Sequence, residues 1–449
     1  MNAKIIKSLL MYVSILSILL VLGCADETNN EPNDQTQPDN SNENMSGGNN
    51  EDPDPVTLEI VVGWDEEMFN ERFKDPVEEE YPWITLEQIK SSSDKEELEK
   101  LFADGLSPDI FFEVSQENME HFKLDYDLDE LIEKHQYDVS HIDPVYLEAL
   151  RAKDPERRLL GIPYEVVNWV LFYNKDIFDS FGVDYPSDDM TWNEAVDLAK
   201  KLTGERDGVH YRGLDLGPVH APLAQFSVNK TDPETGEVLL QEKEEFVRYL
   251  DLINDIVALD NSDAPFFDPE KFVEDRSTAM VVEFVQAVDW WSDADGLDYD
   301  VAPLPTWEGE PAETHRPDEG ILHLSISPHS EHKDAAFKVL TYFTETDYQI
   351  FASRIGLGPT SLEDDVLDQF FQDYESTHDK NMKSIFTHPP AAPPEHISRW
   401  DDYVDLNMHR YINGDDEEDK DYRDLDKNEY LRIVTEESEA KIKNEMESN

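Results

Sequence analysis

From Val56 the apolar positions alternate, with Leu58, Ile60 and Val62 on one side of "VTLEIVVGW", which predicts a strand ending in a Gly63–Trp64 turn. Met68, Phe69, Phe73 and Val77 then recur at helical spacing, and that helix closes near "EEEYPW". "WITLEQIK", 83–90, reads as a second strand, and Lys95 to Phe102 as an amphipathic helix with Leu98, Leu101 and Phe102 on one side. "DIFFEV" supplies a third short strand. Strand, helix, strand, helix, strand predicts a parallel α/β sheet, whose ligands bind beyond the carboxyl ends of the strands.

The stretch "LLGIPYEVVNWVLFYNKDIF", Leu159 to Phe178, reads as one buried strand running into a helix start. Val167, Trp169, Leu171 and Tyr173 share one face, and Val166, Asn168, Val170 and Phe172 the other. A strand apolar on both faces belongs inside a sheet covered by helices. Glu165 and Asn168 must then be hydrogen-bonded or face a water-filled cleft, since an unpaired buried amide or carboxylate costs a few kcal/mol.

Further along, Thr191 with Glu194 forms a capping box ahead of a helix that stops at Gly204. "PVHAPLAQF" is ambiguous, and residues 243–259 form a helix carrying Phe246, Leu250, Ile253 and Val257. "STAMVVEF" reads as a buried strand, "YDVAPLPTW" as an extended segment whose prolines bar helix, and "EGILHLSIS" as a strand. "HKDAAFKVLTYFT" is helical, "GLGPT" turns, and acidic helical segments run to the C-terminus. Trp290, Trp291 and Trp307 read as packing residues.

The ends carry a different signal. Lys4 and Lys7 precede the uncharged run "SLLMYVSILSILLVL", 8–22, and then come Gly23 and Cys24, which predicts a secretory signal over 1–23. That run is short against the roughly 20 residues a spanning helix needs. Cys24 is the only cysteine, so an intrachain disulfide is excluded. "VLGC" resembles the lipobox of bacterial lipoproteins, with Val21 where leucine is usual, and the resemblance implies cleavage before Cys24 and a lipid on its sulfur. Residues 24–55 follow as an acidic tether with no Lys or Arg and almost nothing apolar, a composition that cannot bury enough surface to fold.

Over 56–449 there are 94 acids against 35 lysines and arginines. Such a field repels nucleic acid and anionic lipid, and excludes both as partners. That body also exceeds the roughly 250–300 residues at which single cores stop growing, so two lobes are expected.

"LGIPY" followed by "LFYNKDIFDSFGVDYPSDDMTWNEAVDLAKKLT" resembles the signature of the extracellular solute-binding proteins of ABC importers, the maltose-binding-protein-like family. "DGLSPDIFF", "STAMVVEF", "YDVAPLPTW", "EGILHLSIS", "HSEHKDAAFKVLTYFT" and "GLGPT" support the resemblance in chain order. It implies a two-lobed α/β fold of the type II periplasmic-binding kind, with the ligand cleft between lobes. The lobes implied are 56–165 plus 304–362, and 166–303 plus 363–449. The chain would cross between them near Pro163 to Asn168, so that Glu165, Asn168 and Trp169 sit where a core strand opens onto ligand. The implied function is delivery of a carbohydrate to integral-membrane permease subunits by a monomeric receptor on the outer face of the cell membrane. Its attachment would be the Cys24 lipid alone, with no enzymatic activity, cofactor or metal.

Sugar binding calls for flat aromatic faces against C–H surfaces and planar polar groups for hydroxyls. At the carboxyl ends of the predicted strands stand Trp64 and Asp65, then Glu113, Ser115 and Gln116, then Tyr164, Glu165, Asn168 and Trp169, and then Glu283, Phe284 and Gln286. His323 lies in the returning strand, Thr360 follows "GLGP", and Trp400 matches a ligand-stacking tryptophan of the maltose-binding member. The other stacking positions of that member do not match, since Glu113 and Gln286 fall near two of them, which points away from maltose itself. A peptide, a polyamine or an anionic oligosaccharide would suit the same fold, and an adhesion module would share the anchor and tether. A uronate would need a cation in the cleft. Arg354 and Arg399 are the only evident candidates, which favours neutral sugars. The chain has no G-x-S-x-G and no H-E-x-x-H, and with 103 acids a carboxylate pair carries no signal for a glycosidase. His315, His323, His329 and His332 could suggest a metal, but "SPHSEH" resembles a family loop that begins a surface helix, and "NGDDEEDKD", 413–421, lacks the correctly placed glycine and the terminal glutamate of a calcium loop.

Overall fold

The computed structural model describes residues 54–448, apart from 261, 263, 264, 293, 295, 415–421, 423 and 424. Cys24, the signal segment, nearly all of the tether and most of the 413–421 segment lie outside the described residues. Among the described residues, no helix is long and apolar enough to cross a membrane.

The chain folds into two α/β lobes, each built on its own sheet. The first sheet begins with β1 (Val56–Val61), β2 (Ile84–Ile89), β3 (Ile110–Phe112) and β4 (Ile162–Val166). The second contains β5 (Trp169–Asn174) and, beyond a small hairpin of β6 (Gly204–Arg206) and β7 (Val209–Tyr211), β8 (Asp215–Leu216), β9 (Met280–Phe284) and β10 (Tyr299–Ala302). The chain then returns to the first sheet as β11 (Ile321–Ile326). The strand orders are β2-β1-β3-β11-β4 and β10-β5-β9-β8.

Two expectations are corrected here. Leu159–Phe178 is not one strand: β4 belongs to the first sheet, β5 to the second, and the chain changes lobes at Val167 and Asn168. The first sheet is mixed rather than parallel, because β1 pairs in parallel with β2 and β3 whereas β11 runs antiparallel to both β3 and β4. β11 arrives from the other lobe, so no local crossover helix dictates its direction.

Period-two alternation still sorts the side chains as expected. Trp169, Leu171 and Tyr173 enter one core of the second lobe, and Val170 and Phe172 enter the core on the other face of the same sheet. In the first lobe Ile60, Ile110 and Phe112 face one core, and Val61 and Phe111 the other. The predicted capping box forms, with Glu194 N donating to Thr191 Oγ1 at 3.3 Å and Thr191 N donating to Glu194 Oε2 at 2.9 Å, at the start of the helix Trp192–Leu202. Trp291 and Trp307 pack as expected. Trp290 does not: it is 60% exposed, because the four-residue helix Ala287–Trp290 turns it outward.

The crossing between β4 and β5 is gripped by two returning segments. Val166 N donates to Gly358 O at 2.9 Å, and Val167 N donates to Gly320 O at 2.8 Å. His315 Nε2 lies 3.1 Å from Val167 O, and Asn168 O accepts from Val285 N at 2.9 Å. Both glycines are required by close approach: a Cβ on Gly358 would lie 1.7 Å from Val166 O, and one on Gly320 would lie 2.6 Å from Val167 O. Gly358→Ala is therefore expected to lower the unfolding free energy by about 2 kcal/mol or more, as overpacking does. Gly63→Ala, whose Cβ would meet nothing closer than 3.6 Å, serves as the near-neutral control. Equal urea midpoints for the two variants would refute this account of the crossing.

Candidate functional site

Where β3 ends, Glu113 adopts a left-handed backbone, φ 58°, which is uncommon for a glutamate and costs on the order of 1 kcal/mol. It is held there by β11. Glu113 N donates to His323 O at 3.0 Å, while its Oε1 accepts from His323 N at 2.7 Å and lies 3.0 Å from His323 Nδ1. Burial pushes the Glu113 carboxyl upward. The charge and hydrogen bonds of His323, with Lys153 beyond, outweigh that and leave it below the usual range. Ser115 caps the next helix, Gln116–Phe122, by accepting from Asn118 N at 3.2 Å. These residues open onto a cavity of about 210 Å³ that also takes in Gln116, Lys153 and Asp154 and is floored by Met119, Leu150 and Leu160. Asp154 is occupied by Arg158, at 2.8 Å.

A second cavity of about 450 Å³ adjoins the first, and Gln116 and Lys153 line both. Its far wall comes from late in the chain: His396, Ile397, Arg399 and Trp400, with Pro233 and Glu234. The wall is tied across the lobes by Ile397 N donating to Ala152 O at 2.7 Å and by Arg399 Nη1 donating to Glu120 Oε2 at 2.7 Å. The Arg399 guanidinium also lies 4.5 Å from the centre of the Trp400 ring. Trp400 lines this cavity yet is only 6% exposed, since most of its ring joins the second lobe's core beside Gly236.

At the crossing itself the Trp64 ring rests between Phe73 (5.2 Å), Phe112 (4.9 Å) and Tyr164 (6.2 Å), with the Arg72 guanidinium 5.4 Å from its centre. Tyr164 is buried, stacked on Phe73 at 4.9 Å, and its hydroxyl accepts from Tyr348 at 3.2 Å. Glu165 is buried and is approached from the other lobe by Gln286, whose Nε2 donates at 3.4 Å while its Oε1 has no partner among the described residues. Burial pushes Glu165 up to about 7, with Arg72 and Gln286 pulling the other way. The Asn168 amide donates to Val166 O at 3.3 Å, which answers the question that its place in a core strand raised. Trp169 is packed between His220 (4.9 Å) and His315 (4.3 Å), and its Nε1 is buried without a partner among the described residues.

The structure thus gathers Glu113, Ser115 and His323 at one cavity, Trp400 at its neighbour, and Trp64, Tyr164, Glu165 and Gln286 at the crossing, with Phe284 edge-on to Trp169 at 6.4 Å. Like Ser115 and Asn168, two further sequence-chosen groups are engaged locally. Asp65 is exposed and caps the helix Glu66–Phe69 by accepting from Met68 N at 2.9 Å. Glu283 folds back to accept from Phe284 N at 2.9 Å, in space that Gly217 leaves open. Thr360 is buried behind the crossing, its N donating to Gln349. Arg354 is engaged by Asp373 and Gln369 and Arg399 by Glu120. Sequence reasoning missed Lys153, Glu234 and His396, which come from a helix end and two loops that carry no local signal.

Glu165 yields a prediction with a definite sign. Its folded value near 7 exceeds the ordinary 4.5, so the unfolded chain ionises first as pH rises. Stability is then lost between those two values. Glu165→Gln removes that loss, and its gain in unfolding free energy over wild type should be about 2 kcal/mol larger at pH 8 than at pH 5. An equal gain at both pH values, measured by denaturant unfolding, would contradict it.

The sequence profile of a family described as "Bacterial extracellular solute-binding protein" matches residues 63–350. Among curated proteins, the chain is 32% identical over 187 residues to an arabinooligosaccharide-binding protein of Halalkalibacterium halodurans, covering 37% of this chain and 41% of that protein. It is 40% identical over 48 residues to an sn-glycerol-3-phosphate-binding periplasmic protein of Agrobacterium fabrum, 11% of each chain. These matches therefore span less than half the length of either relative. Among solved structures, the cyclic alpha-maltosyl-1,6-maltose binding protein of Arthrobacter globiformis superposes with a TM-score of 0.66 at 16% identity, covering 87% of this chain and 100% of that one. A Rhizobium etli sugar transporter protein in an open conformation gives 0.65 at 18% identity, covering 86% and 99%. A Listeria monocytogenes ABC substrate-binding protein in complex with cycloalternan gives 0.60 at 21%, covering 87% and 99%. At these identities the likeness is one of fold.

Proposed function

The chain belongs to the bacterial extracellular solute-binding protein family, and from that premise we propose that it captures a carbohydrate, a neutral oligosaccharide, in the cleft between its lobes and presents it to the permease of an ABC importer. The observation that carries this reading is the pair of adjoining cavities. One is lined by the Glu113–His323 pair, Ser115 and Lys153, and the other is walled by Trp400. Fixed acceptors and donors suit sugar hydroxyls, and the exposed margin of the Trp400 ring adds a small apolar contact. Neutrality is supported by the pairing of Arg354 with Asp373 and of Arg399 with Glu120, while Lys153, which lines both cavities, stands in the field of the Glu113 carboxylate.

The working cycle is lobe closure about the Val166–Asn168 crossing and the segments that grip it, with 56–165 plus 304–362 moving against 166–303 plus 363–449. A ligand drives closure only through contacts made better in the closed form. The cleft chemistry needs no nucleophile and no group transfer: binding and release are the whole of the activity. The receptor acts as a monomer held at the outer face of the cell membrane by a lipid on Cys24.

A thermal-shift screen over mono- and oligosaccharides tests the reading. A ligand at a hundredfold excess over its dissociation constant adds about 2.7 kcal/mol to the folded state. Trp400→Phe keeps most of the packing and should weaken the best sugar up to about tenfold, as expected for loss of an aromatic contact. Stabilisation by peptides or polyamines and by no sugar would refute carbohydrate binding. For the anchor, Cys24→Ser should release the protein or leave an unprocessed precursor, and an unmodified Cys24 thiol in the mature wild type would refute lipidation.

A further inference from the structure

One carboxyl of the first lobe is met by the second lobe in a way that depends on its proton. Glu165 lies on β4 immediately before the Val166–Asn168 crossing and is 4% exposed. Gln286, which follows β9 in the second lobe, reaches it across the crossing, its Nε2 donating to Glu165 Oε1 at 3.4 Å. That bond is long. The other end of the same carboxamide, Gln286 Oε1, is buried with no partner among the described residues. An ionised carboxylate only accepts, so it uses Nε2 and leaves Oε1 unmet. A protonated carboxyl carries one O–H donor beside its remaining acceptor, which is the complement of a carboxamide: it donates to Gln286 Oε1 and accepts from Nε2 in a single two-point pair. The buried acceptor of Gln286 is thus satisfied in one protonation state and stranded in the other.

We propose that a proton on Glu165 latches the two lobes: with it the Glu165–Gln286 pair closes across the crossing, and without it the lobes part there, so that solute capture is linked to pH. The groups around Glu165 leave it as the one that responds. Arg72, from the segment Asn70–Lys74, keeps its charge throughout. Glu113, at the end of β3, is held ionised below the usual range by His323 of β11. Tyr164 beside it on β4 and Tyr348 from the helix Thr346–Arg354 are buried, which pushes both hydroxyls up and keeps them neutral. Gly358 contributes a backbone hydrogen bond, and Glu283 of β9 is turned to Phe284 N. Burial outweighs Arg72 and the donors and pushes Glu165 up to about 7, against an ordinary 4.5. Rotation about the crossing parts Glu165 from Gln286 and lets water reach the carboxyl, which returns it toward its ordinary value. The paired form therefore holds the proton more tightly, and loss of the proton favours the parted form. Each pH unit between the two values changes the ratio of the forms tenfold. A solute held by both lobes binds the paired form, so its affinity falls as pH rises through neutrality and its binding takes up a proton.

The inference rests on the lobe-closure reading above, and its experiment needs no solute. Nitroxide labels are placed at Glu99→Cys and Lys201→Cys, exposed positions on helices of the first and second lobe, in the full chain carrying Cys24→Ser, and their separation is measured by pulsed electron paramagnetic resonance between pH 5 and pH 9. One separation should dominate at pH 5, and a second should grow in with a midpoint near pH 7, changing the ratio of the two at least tenfold. Glu165→Gln, whose carboxamide imitates the neutral acid, should keep the pH 5 distribution throughout. Gln286→Met removes the partner and should populate the second separation already at pH 5, which tests the latch even if the first variant folds poorly. A distribution unchanged by pH with Glu165 in place, or a response that survives Glu165→Gln and so belongs to another group such as His323, overturns the inference and leaves the carbohydrate reading, which the sugar screen tests, intact. A single separation under every condition, with maltotriose or arabinotriose added as well, overturns lobe closure and this inference with it.

Discussion

Everything in the molecule is arranged around the contact of Gly320 and Gly358 with the backbone at Val166 and Val167. Three chain segments meet there with no side chain between them, and the approach is so close that a methyl group on either glycine would overlap a carbonyl oxygen. The hydrogen bonds from Val166 and Val167 to those glycines satisfy the polar backbone of a strand that has just left one sheet and not yet joined the next. Because the crossing is thin, its flanking side chains lie at the boundary of two cores. Glu165 is the last polar group of the first lobe and meets Gln286 of the second. Trp169 is the first residue of β5 and takes His315 from the returning segment.

Carboxylates are placed in this boundary at a cost, and each is compensated differently. Glu113 is paired with His323 and stays ionised below its ordinary range. Glu283 is turned onto its own backbone, and burial raises it. Glu165 has the field of Arg72, the weak approach of Gln286 and a backbone hydrogen bond from Gly358, yet burial outweighs them and pushes it up to about 7. The same residue type is thus shifted downward at Glu113 and upward at Glu283 and Glu165, according to how its burial is offset by charges and donors. Elsewhere the excess of acids gives the arginines ready partners: Arg151 meets Asp129, Arg158 meets Asp154 and Asp125, and Arg410 meets Glu437. The Arg399–Glu120 pair joins one lobe to the other.

The patterns legible in the sequence were those whose cause lies within a few residues. Alternation in "WVLFYN" assigned each side chain to the correct face, because strand geometry alone sets that period. The capping box at Thr191 and the helix Glu244–Leu259 follow from local hydrogen bonds and spacing. The family's ordered motifs added the two-lobed architecture. Within the candidate site, the residues that follow β3 could be chosen because sites form at strand ends. The engagement of Asp65 as a helix cap was equally local, yet a cap and a ligand carboxylate look alike in one dimension.

The tertiary structure fixed where Leu159–Phe178, in which the family resemblance implied a lobe crossing, divides between two sheets, because a continuous apolar pattern holds no mark for the point where the hydrogen-bonding partner changes. It alone made the first sheet mixed, since the direction of β11 depends on where a segment returning from the other lobe enters. It alone left Trp290 outside, since a four-residue helix has no second turn to show which face is buried. It alone brought Lys153 to Trp400, and Glu113 to His323, over separations of some two hundred residues and more. Local sequence determines what each segment is, because secondary structure is a short-range choice. Which segments become neighbours is settled by packing around the crossing, a global condition that no short window of residues contains.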